Sequence, residues 1–354
     1  TVDPGEAETL LRSVYDQATT RSDHSLASAA ANDLANLLAN QGRPREALTL
    51  IDETIEHARQ AGLGSWTQLS NQGRRLQLLG LLGDHEQVLT DLPALWNRLA
   101  ELPDQPAGND PINPWNIREA TLATGFNSTL ALGWWRQALD LNNEVANLQR
   151  RRGASAHETA RTRFNNYGPL LELGRLDDAK QVLSECQEVF ETVDDITMLA
   201  KVYSARAGLE DRRGHLQDAL ALEHTALRLK YASPEPRSIA MSHHNLASCL
   251  FRATGTSTEQ HAQHLAAALL HHLTGDTHTL TLALRALAYK LLRNTDTPDA
   301  PVLPTTLSEV IRLVDAGDGV HFGNLIATLC PDTDTADQAL ADILATAASL
   351  PEES

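Results

Sequence analysis

The feature that most constrains this fold is a motif in which a glycine is followed, five residues later, by a small apolar residue. It occurs in the segments GRPREA, GDHEQV, GWWRQA, GRLDDA and GHLQDA. The paired residues are Gly42 and Ala47, Gly83 and Val88, Gly133 and Ala138, Gly174 and Ala179, and Gly214 and Ala219. Successive glycines are 41, 50, 41 and 40 residues apart, and a weaker sixth copy begins at Gly255. A near-constant period of this length is typical of solenoids built from stacked units.

Each unit consists of two helical patterns separated by the glycine. Upstream runs a stretch such as SLASAAANDLANLLAN, and downstream a second stretch places apolar residues at helical spacing. Glycine accepts the left-handed conformation that ends a helix and reverses the chain. One pair of antiparallel helices cannot bury its apolar stripe alone, so successive pairs must stack. The sequence therefore predicts an all-α solenoid of antiparallel helix pairs.

This unit resembles the tetratricopeptide repeat, and the resemblance covers residues 26–275. The period is longer than the usual value of about 34 residues, so the chain resembles the long-helix variety found in kinesin light chains and in the C-terminal arms of bacterial signal-transduction ATPases of the STAND/NB-ARC type. The aromatic residue of the family near the start of the first helix is mostly absent here. The corresponding residues are Ala31, Gln72, Leu122, Arg163, Tyr203 and His243. The resemblance implies a right-handed superhelix.

The pattern predicts four segments along the chain. Residues 1–25 resemble the second helix of a pair whose first helix is missing, and no initiating Met is present. We therefore expect the chain to be a fragment of a longer protein or a processed one. Residues 26–275 form six helix pairs, 276–304 an extra helix with a Pro-rich linker, and 305–354 a C-terminal helical cap. The spacing of 50 residues is explained by a loop at PDQPAGNDPINP, whose four prolines exclude a helix.

Charge and composition exclude several classes of partner. The formal net charge is −17, which disfavours binding to nucleic acid and to anionic membranes. No apolar run reaches the roughly 18–20 residues that span a bilayer, and the start does not resemble a secretory signal. Cys186, Cys249 and Cys330 are scattered, as is typical of reduced core residues in a cytoplasmic protein. The sequence indicates no cofactor.

A group of histidines raises the question of a metal site. His243, His244, His261, His264, His271, His272 and His278 lie within 36 residues. His261 and His264 are one helical turn apart and could share a face, but zinc requires three or four ligands. The sequence favours a solvated histidine-rich surface over a metal site, and we predict no bound metal.

The motifs of known catalytic sites are missing, because the sequence contains no G-x-x-x-x-G-K-[ST], G-x-S-x-G or H-E-x-x-H. We therefore predict that the chain is not an enzyme. The expected partner is a protein or peptide, and an upstream effector domain of the same chain is a second candidate. The leading interpretation is the sensor or partner-binding arm of a larger bacterial regulator. The alternatives are a stand-alone receptor of the quorum-peptide type and an enzyme.

Candidate binding residues lie on the first helices of the pairs, which line the concave face in this architecture. Some tetratricopeptide proteins clamp a carboxylate there, and the resemblance matches this clamp at Asn127, Asn165 and Lys201. Its other two positions are Ala123 and Ala205, so the clamp is incomplete, although Arg161 could add a positive charge. In the first pair Asn32 and Asn36 form a polar stripe that could bond a peptide backbone. The alternative is that all six are ordinary solvated residues.

Overall fold

The computed structural model describes residues 3–104, 113–293, 301–318 and 320–350, which form two compact units, Thr1–Arg175 and Leu176–Ser354. No β-strand occurs among these residues. Unit one contains α1 (Pro4–Thr20), α2 (His24–Asn40), α3 (Pro44–Gln60), α4 (Ser65–Leu81), α5 (His85–Glu101), α6 (Pro114–Ala131), α7 (Trp135–Arg151), α8 (Ala156–Phe164) and α9 (Tyr167–Glu172). Unit two contains α10 (Leu176–Thr192), α11 (Ile196–Arg212), α12 (Leu216–Ala232), α13 (Pro236–Thr254), α14 (Thr258–Leu273), α15 (Thr277–Arg293), α16 (Leu307–Asp318), α17 (Phe322–Leu329) and α18 (Thr333–Ser349).

The repeated glycines end the first helices in the left-handed conformation. At Gly42 φ is +76°, and the other four glycines of the motif lie between +69° and +86°. The Gly42 N–H donates to the Ala39 carbonyl at 3.1 Å, and the Arg43 N–H donates to the Leu38 carbonyl at 2.9 Å. These two bonds close the last turn of α2 in the Schellman pattern. The small residues five positions later are all buried, at Ala47, Val88, Ala138, Ala179 and Ala219.

In unit one helices α1 to α8 pack on their neighbours in chain order, and α9 packs on α7. The apolar faces of α2 and α3 meet around Leu34, Leu38 and Ile51, which are fully buried. The first helices α4 and α6 also pack on each other. Gly73 permits this approach, because a Cβ on it would lie 3.2 Å from the Thr121 Oγ1. Neighbouring first helices thus form one continuous surface of unit one.

The first helix of the fourth predicted pair is broken. It ends as α8 at Phe164 and resumes as α9 at Tyr167. The side-chain amide of Asn142 donates to the Thr162 carbonyl at 2.8 Å and to the Asn166 Oδ1 at 2.7 Å. Asn142 is buried on α7, so these bonds satisfy polar groups at a place that water does not reach.

Unit two is organised around α14. Helices α13, α15, α16 and α18 all pack on it, and its residues from Gln260 to His271 are buried without interruption. Leu265 and Leu269 of α14 share one apolar cluster with Val310, Phe322 and Leu340 of the C-terminal helices. The segment α16–α18 therefore covers the last helix pair and completes its core, as a cap must.

The histidine surface expected from the sequence is wrong for four of the seven histidines, whereas His272 and His278 are exposed. His243, His261, His264 and His271 are at most 1% exposed. The Nδ1 of His243 donates to the Gln263 Oε1 at 2.5 Å, and its Nε2 accepts from the Tyr231 hydroxyl at 2.8 Å. For His261, His264 and His271 the error has a physical cause, since α14 is covered on all sides and must bury even its polar positions.

The predicted all-α solenoid of antiparallel helix pairs is confirmed. The four-segment division of the chain and the right-handed superhelix stay predictions. Most of the predicted proline-rich loop, residues 105–112, and most of the second linker, residues 294–300, lie outside the described residues. No helix in the described ranges combines the length and the apolar character needed to cross a membrane.

Candidate functional site

A polar cavity of about 280 Å³ lies in unit one between the first helices of three successive pairs, α2, α4 and α6. We call this surface the amide groove. Its lining consists of Asn32, Asn36, Ser70, Asn71, Gly73, Arg74, Gln77, Asn116, Ile117, Ala120 and Thr121. Six of these side chains carry an amide or a guanidinium group. The groove is therefore rich in hydrogen-bond donors that belong to side chains.

Helical periodicity places these polar side chains together. Asn32 and Asn36 are four residues apart on α2, and Asn71 and Arg74 are three residues apart on α4, so each pair shares one helix face. The opposite faces are apolar: Leu34 and Leu38 of α2, and Leu69 and Leu76 of α4, are buried. Burial of the leucines therefore fixes the rotation of each helix and points the amides toward the groove.

Arg74 is a cation that has no anionic partner among the residues that the structure describes. Its Nη1 donates to the Gln77 Oε1 at 2.9 Å, whereas its Nε is buried and has no hydrogen-bond partner among the described residues. Burial lowers the pKa of Arg74, and no carboxylate counteracts this effect. The adjacent Arg75 differs, because its Nε donates to the Asp52 carboxylate at 2.8 Å. The groove thus retains a partly desolvated positive charge.

Asn71 adds a second unused donor. The residue is 7% exposed, and within the described part of the chain its Nδ2 has no hydrogen-bond partner. Buried polar groups are normally paired, and each unpaired one costs about 1–3 kcal/mol. The amide of Asn71 and the guanidinium of Arg74 both line the same cavity. Together they can hold an acceptor group, above all an anionic one.

The predicted binding residues fall in different places. Asn32 and Asn36 line the amide groove. Asn127, Arg161 and Asn165 are exposed in unit one and do not belong to its lining. Lys201 is an exposed residue of unit two. The ligand-binding role of all six stays a prediction.

Sequence reasoning overlooked Asn71, Arg74 and Asn116. A usable signal existed for Arg74, which precedes Gly83 by nine residues, as Asn165 precedes Gly174. Applying the same count to the second pair would have found it. The lack of an acidic partner for Arg74 has no signature in the sequence, because it depends on which side chains the fold brings near.

Two further polar groupings occur in unit two. Glu210, His215 and Asp218 place their ligand atoms within 4.8 Å of one another. His215 and Asp218 are exposed, and the Glu210 carboxylate already bonds the His215 Nδ1 at 2.7 Å. A cavity of about 400 Å³ adjoins α14 and α18, where His272, Asp334 and Asp342 line it. These three side chains are exposed, so neither grouping carries the unpaired buried donors of the amide groove.

No protein-family model matches the sequence, and no curated protein matches it either. Among solved structures, one similar protein is a Podosopora anserina protein with nearly identical TPR-like repeats, described as a kinesin light chain. Its sequence is 16% identical to this chain. The match covers 58% of this chain and 95% of that chain, with a TM-score of 0.48. BtubC (BKLC) from P. vanneervenii is 14% identical over 74% of this chain and 96% of that chain, with a TM-score of 0.47. Both TM-scores are below 0.5, and the fold described above stands on the chain's own helices.

Proposed function

We propose that this chain is a binding scaffold and that its amide groove holds an extended segment of a partner protein. The observation that carries the proposal is the run of side-chain amides along three successive first helices: Asn36 on α2, Asn71 on α4 and Asn116 on α6. Asparagine offers both a donor and an acceptor, which is what the main chain of an extended peptide requires. Such contacts bind a peptide without reading each of its side chains.

The dimensions and chemistry of the groove favour binding over catalysis. Its volume of about 280 Å³ lies just below the usual range for small-molecule pockets, which is about 300–1,000 Å³. Its lining contains a single ionisable side chain, Arg74. General acid–base chemistry requires a group that gains or loses a proton near neutral pH, and a guanidinium does not. A peptide ligand therefore fits this cavity better than a reacting substrate.

The test is a binding screen against a random library of nonapeptides with both ends blocked. We expect a subset to bind the wild-type chain, and we expect the double variant Asn36→Ala/Asn116→Ala to lose about tenfold or more in affinity, since two hydrogen bonds are removed. The matched control is Asn97→Ala, an exposed asparagine on α5 outside the groove. Peptides that bind the double variant and the wild type equally would contradict the proposal.

The same screen addresses the other predicted residues. If Asn127 and Lys201 take part in binding, Asn127→Ala and Lys201→Ala each weaken capture of the selected peptides. Unchanged affinity in both variants would confine the ligand to the amide groove. The two variants are measured separately because the residues belong to different units.

A narrower version of the proposal is that the scaffold is the sensor or partner-binding arm of a larger bacterial regulator. It is supported by the long-period repeat motif and by the lack of a catalytic motif in the sequence. It predicts that the gene also encodes an effector module, such as an ATPase, whose activity changes when the amide groove is occupied. An effector whose activity is the same with wild-type and Asn36→Ala/Asn116→Ala scaffold would refute this version.

A further inference from the structure

We propose that the floor of the amide groove is a carboxylate subsite, in which Arg74 and Asn71 bind an internal Asp or Glu side chain of the partner segment. This inference rests on the proposed function and goes beyond it, because it states the chemistry by which the partner is recognised. The two residues lie on the same face of α4, and both line the cavity.

The first argument is the charge balance around Arg74. Among the described residues, the guanidinium forms no ion pair, and its only hydrogen bond goes to the neutral side chain of Gln77. Two other arginines of unit one behave differently: Arg75 pairs with Asp52, and Arg43 pairs with Glu8 and Glu46. In a chain with a net charge of −17, an arginine that faces a cavity without a carboxylate in its lining is an unusual arrangement. An incoming carboxylate would supply the missing counter-charge.

The second argument is independent of charge and comes from Asn71. Its side chain is more than nine-tenths buried and lines the cavity, yet its Nδ2 has no partner in the described structure. A donor in this position requires an acceptor from a ligand or from water. A carboxylate has two oxygens and several lone pairs, so it can accept from Asn71 and from the Nε of Arg74 at the same time.

The position of the pair within the groove indicates which carboxylate it binds. Arg74 and Asn71 belong to the middle helix, and amides flank them on both sides, Asn36 on α2 and Asn116 on α6. A peptide that uses both flanks has main chain on either side of the subsite. The carboxylate is then a side chain within the segment, whereas a C-terminal carboxylate would leave one flank empty.

The experiment uses peptides that were selected in the nonapeptide screen and have both ends blocked. Each peptide with a Glu is compared with a peptide that is identical except that Gln replaces this Glu. We expect the Glu peptide to bind about tenfold or more tightly to the wild type, as for a charge-assisted hydrogen bond in a partly desolvated site. In Arg74→Gln this preference should disappear, and in Arg74→Lys it should persist in part because the charge remains. Arg75→Gln is the matched control, since Arg75 is ion-paired and does not line the groove.

The outcomes separate this inference from the function on which it rests. Equal binding of Glu and Gln peptides to the wild type, with affinity still lost in Asn36→Ala/Asn116→Ala, would refute the subsite and leave the scaffold function intact. The same peptides are also measured with a free C-terminal carboxylate, and tight binding by these alone would refute the internal side chain. If no peptide binds the groove, both proposals fail. Thermal unfolding of each variant verifies that Arg74→Gln is folded, and Asn71→Leu gives a second test of the subsite that retains the arginine.

Discussion

Arg118 on α6 donates two hydrogen bonds to a single carbonyl oxygen, that of Leu99 on α5, from Nε at 3.1 Å and from Nη2 at 2.9 Å. The same guanidinium donates to the Leu102 carbonyl at 2.7 Å and to the Asp104 carboxylate at 2.5 Å. Arg118 is 4% exposed, and its guanidinium lies 5.1 Å from the centre of the Trp66 ring. One buried cation thus satisfies the carbonyl groups at the end of α5 that no further helix turn can satisfy.

Replacing this arginine tests how much the cap contributes to unit one. We expect Arg118→Ala to lower the free energy of unfolding by about 3 kcal/mol, because it leaves buried carbonyl groups unpaired and removes aromatic packing. The free energy of unfolding of Arg118→Lys should lie between those of the wild type and Arg118→Ala, since an ammonium group cannot span both carbonyls and Asp104. Urea unfolding is the measurement, with the exposed Arg136→Ala on α7 as the control. Equal unfolding midpoints for Arg118→Ala and Arg136→Ala would contradict this role.

Two helical glycines should respond oppositely to alanine. At Gly125 on α6 a Cβ would lie 2.4 Å from the Leu92 Cδ2 and 3.2 Å from the Leu141 Cδ1, so the buried Leu92 and the half-buried Leu141 must move. At Gly208 on α11 a Cβ meets nothing within 4 Å. We expect Gly125→Ala to destabilise by about 1–3 kcal/mol through overpacking. Gly208→Ala should stabilise by about 0.5–1 kcal/mol, because alanine loses less backbone entropy in a helix.

Thermal unfolding of the two glycine variants beside the wild type checks the pair, and each variant serves as the control for the other. If Gly125→Ala does not lower the melting temperature, the packing argument for Gly125 is wrong, and if Gly208→Ala lowers it, the argument for Gly208 is wrong. The result also bears on how closely α6 can approach α5, since Leu92 belongs to α5.

The raised pKa of Glu223 on α12 leads us to expect that the stability of unit two depends on pH. Burial raises its pKa from the ordinary 4.5 to about 7, although the charge of Lys230 and a hydrogen bond from the Ser204 Oγ at 3.2 Å both act to lower it. The folded chain therefore favours the protonated acid. This stabilisation is fully present below pH 4.5 and is lost as the pH rises through about 7.

The variant Glu223→Gln mimics the protonated acid and should remove this dependence. We expect it to match the wild type near pH 4.5, and to exceed it at pH 8 by at most about 3 kcal/mol in the free energy of unfolding. Urea unfolding at a series of pH values measures the difference, with the exposed Glu188→Gln on α10 as the control. A difference between Glu223→Gln and wild type that does not change from pH 4.5 to pH 8 would show that the fold does not raise the pKa of Glu223.

Local sequence signals were sufficient to predict the repeat, because each of these signals depends on the residue at a single position. A glycine that must adopt positive φ, as Gly42 does at +76°, is visible in the sequence, and so is the small residue that the next helix buries. The helix periodicity that faces Leu34 inward also faces Asn32 and Asn36 toward the groove, so the sequence alone could show that these two residues share one polar face.

The sequence by itself determined the all-α class, the antiparallel pairing and the positions of the turns, since all three follow from patterns within one helix pair. Only the tertiary structure decided that α14 is covered on all sides, so that His261 and His264 are buried, and that α8 ends where Asn142 can bond it. It also decided that Arg74 faces a cavity whose lining has no carboxylate, whereas its neighbour Arg75 pairs with Asp52. Burial and ionic pairing depend on residues from helices far apart in the chain, and no local period encodes which of them will meet.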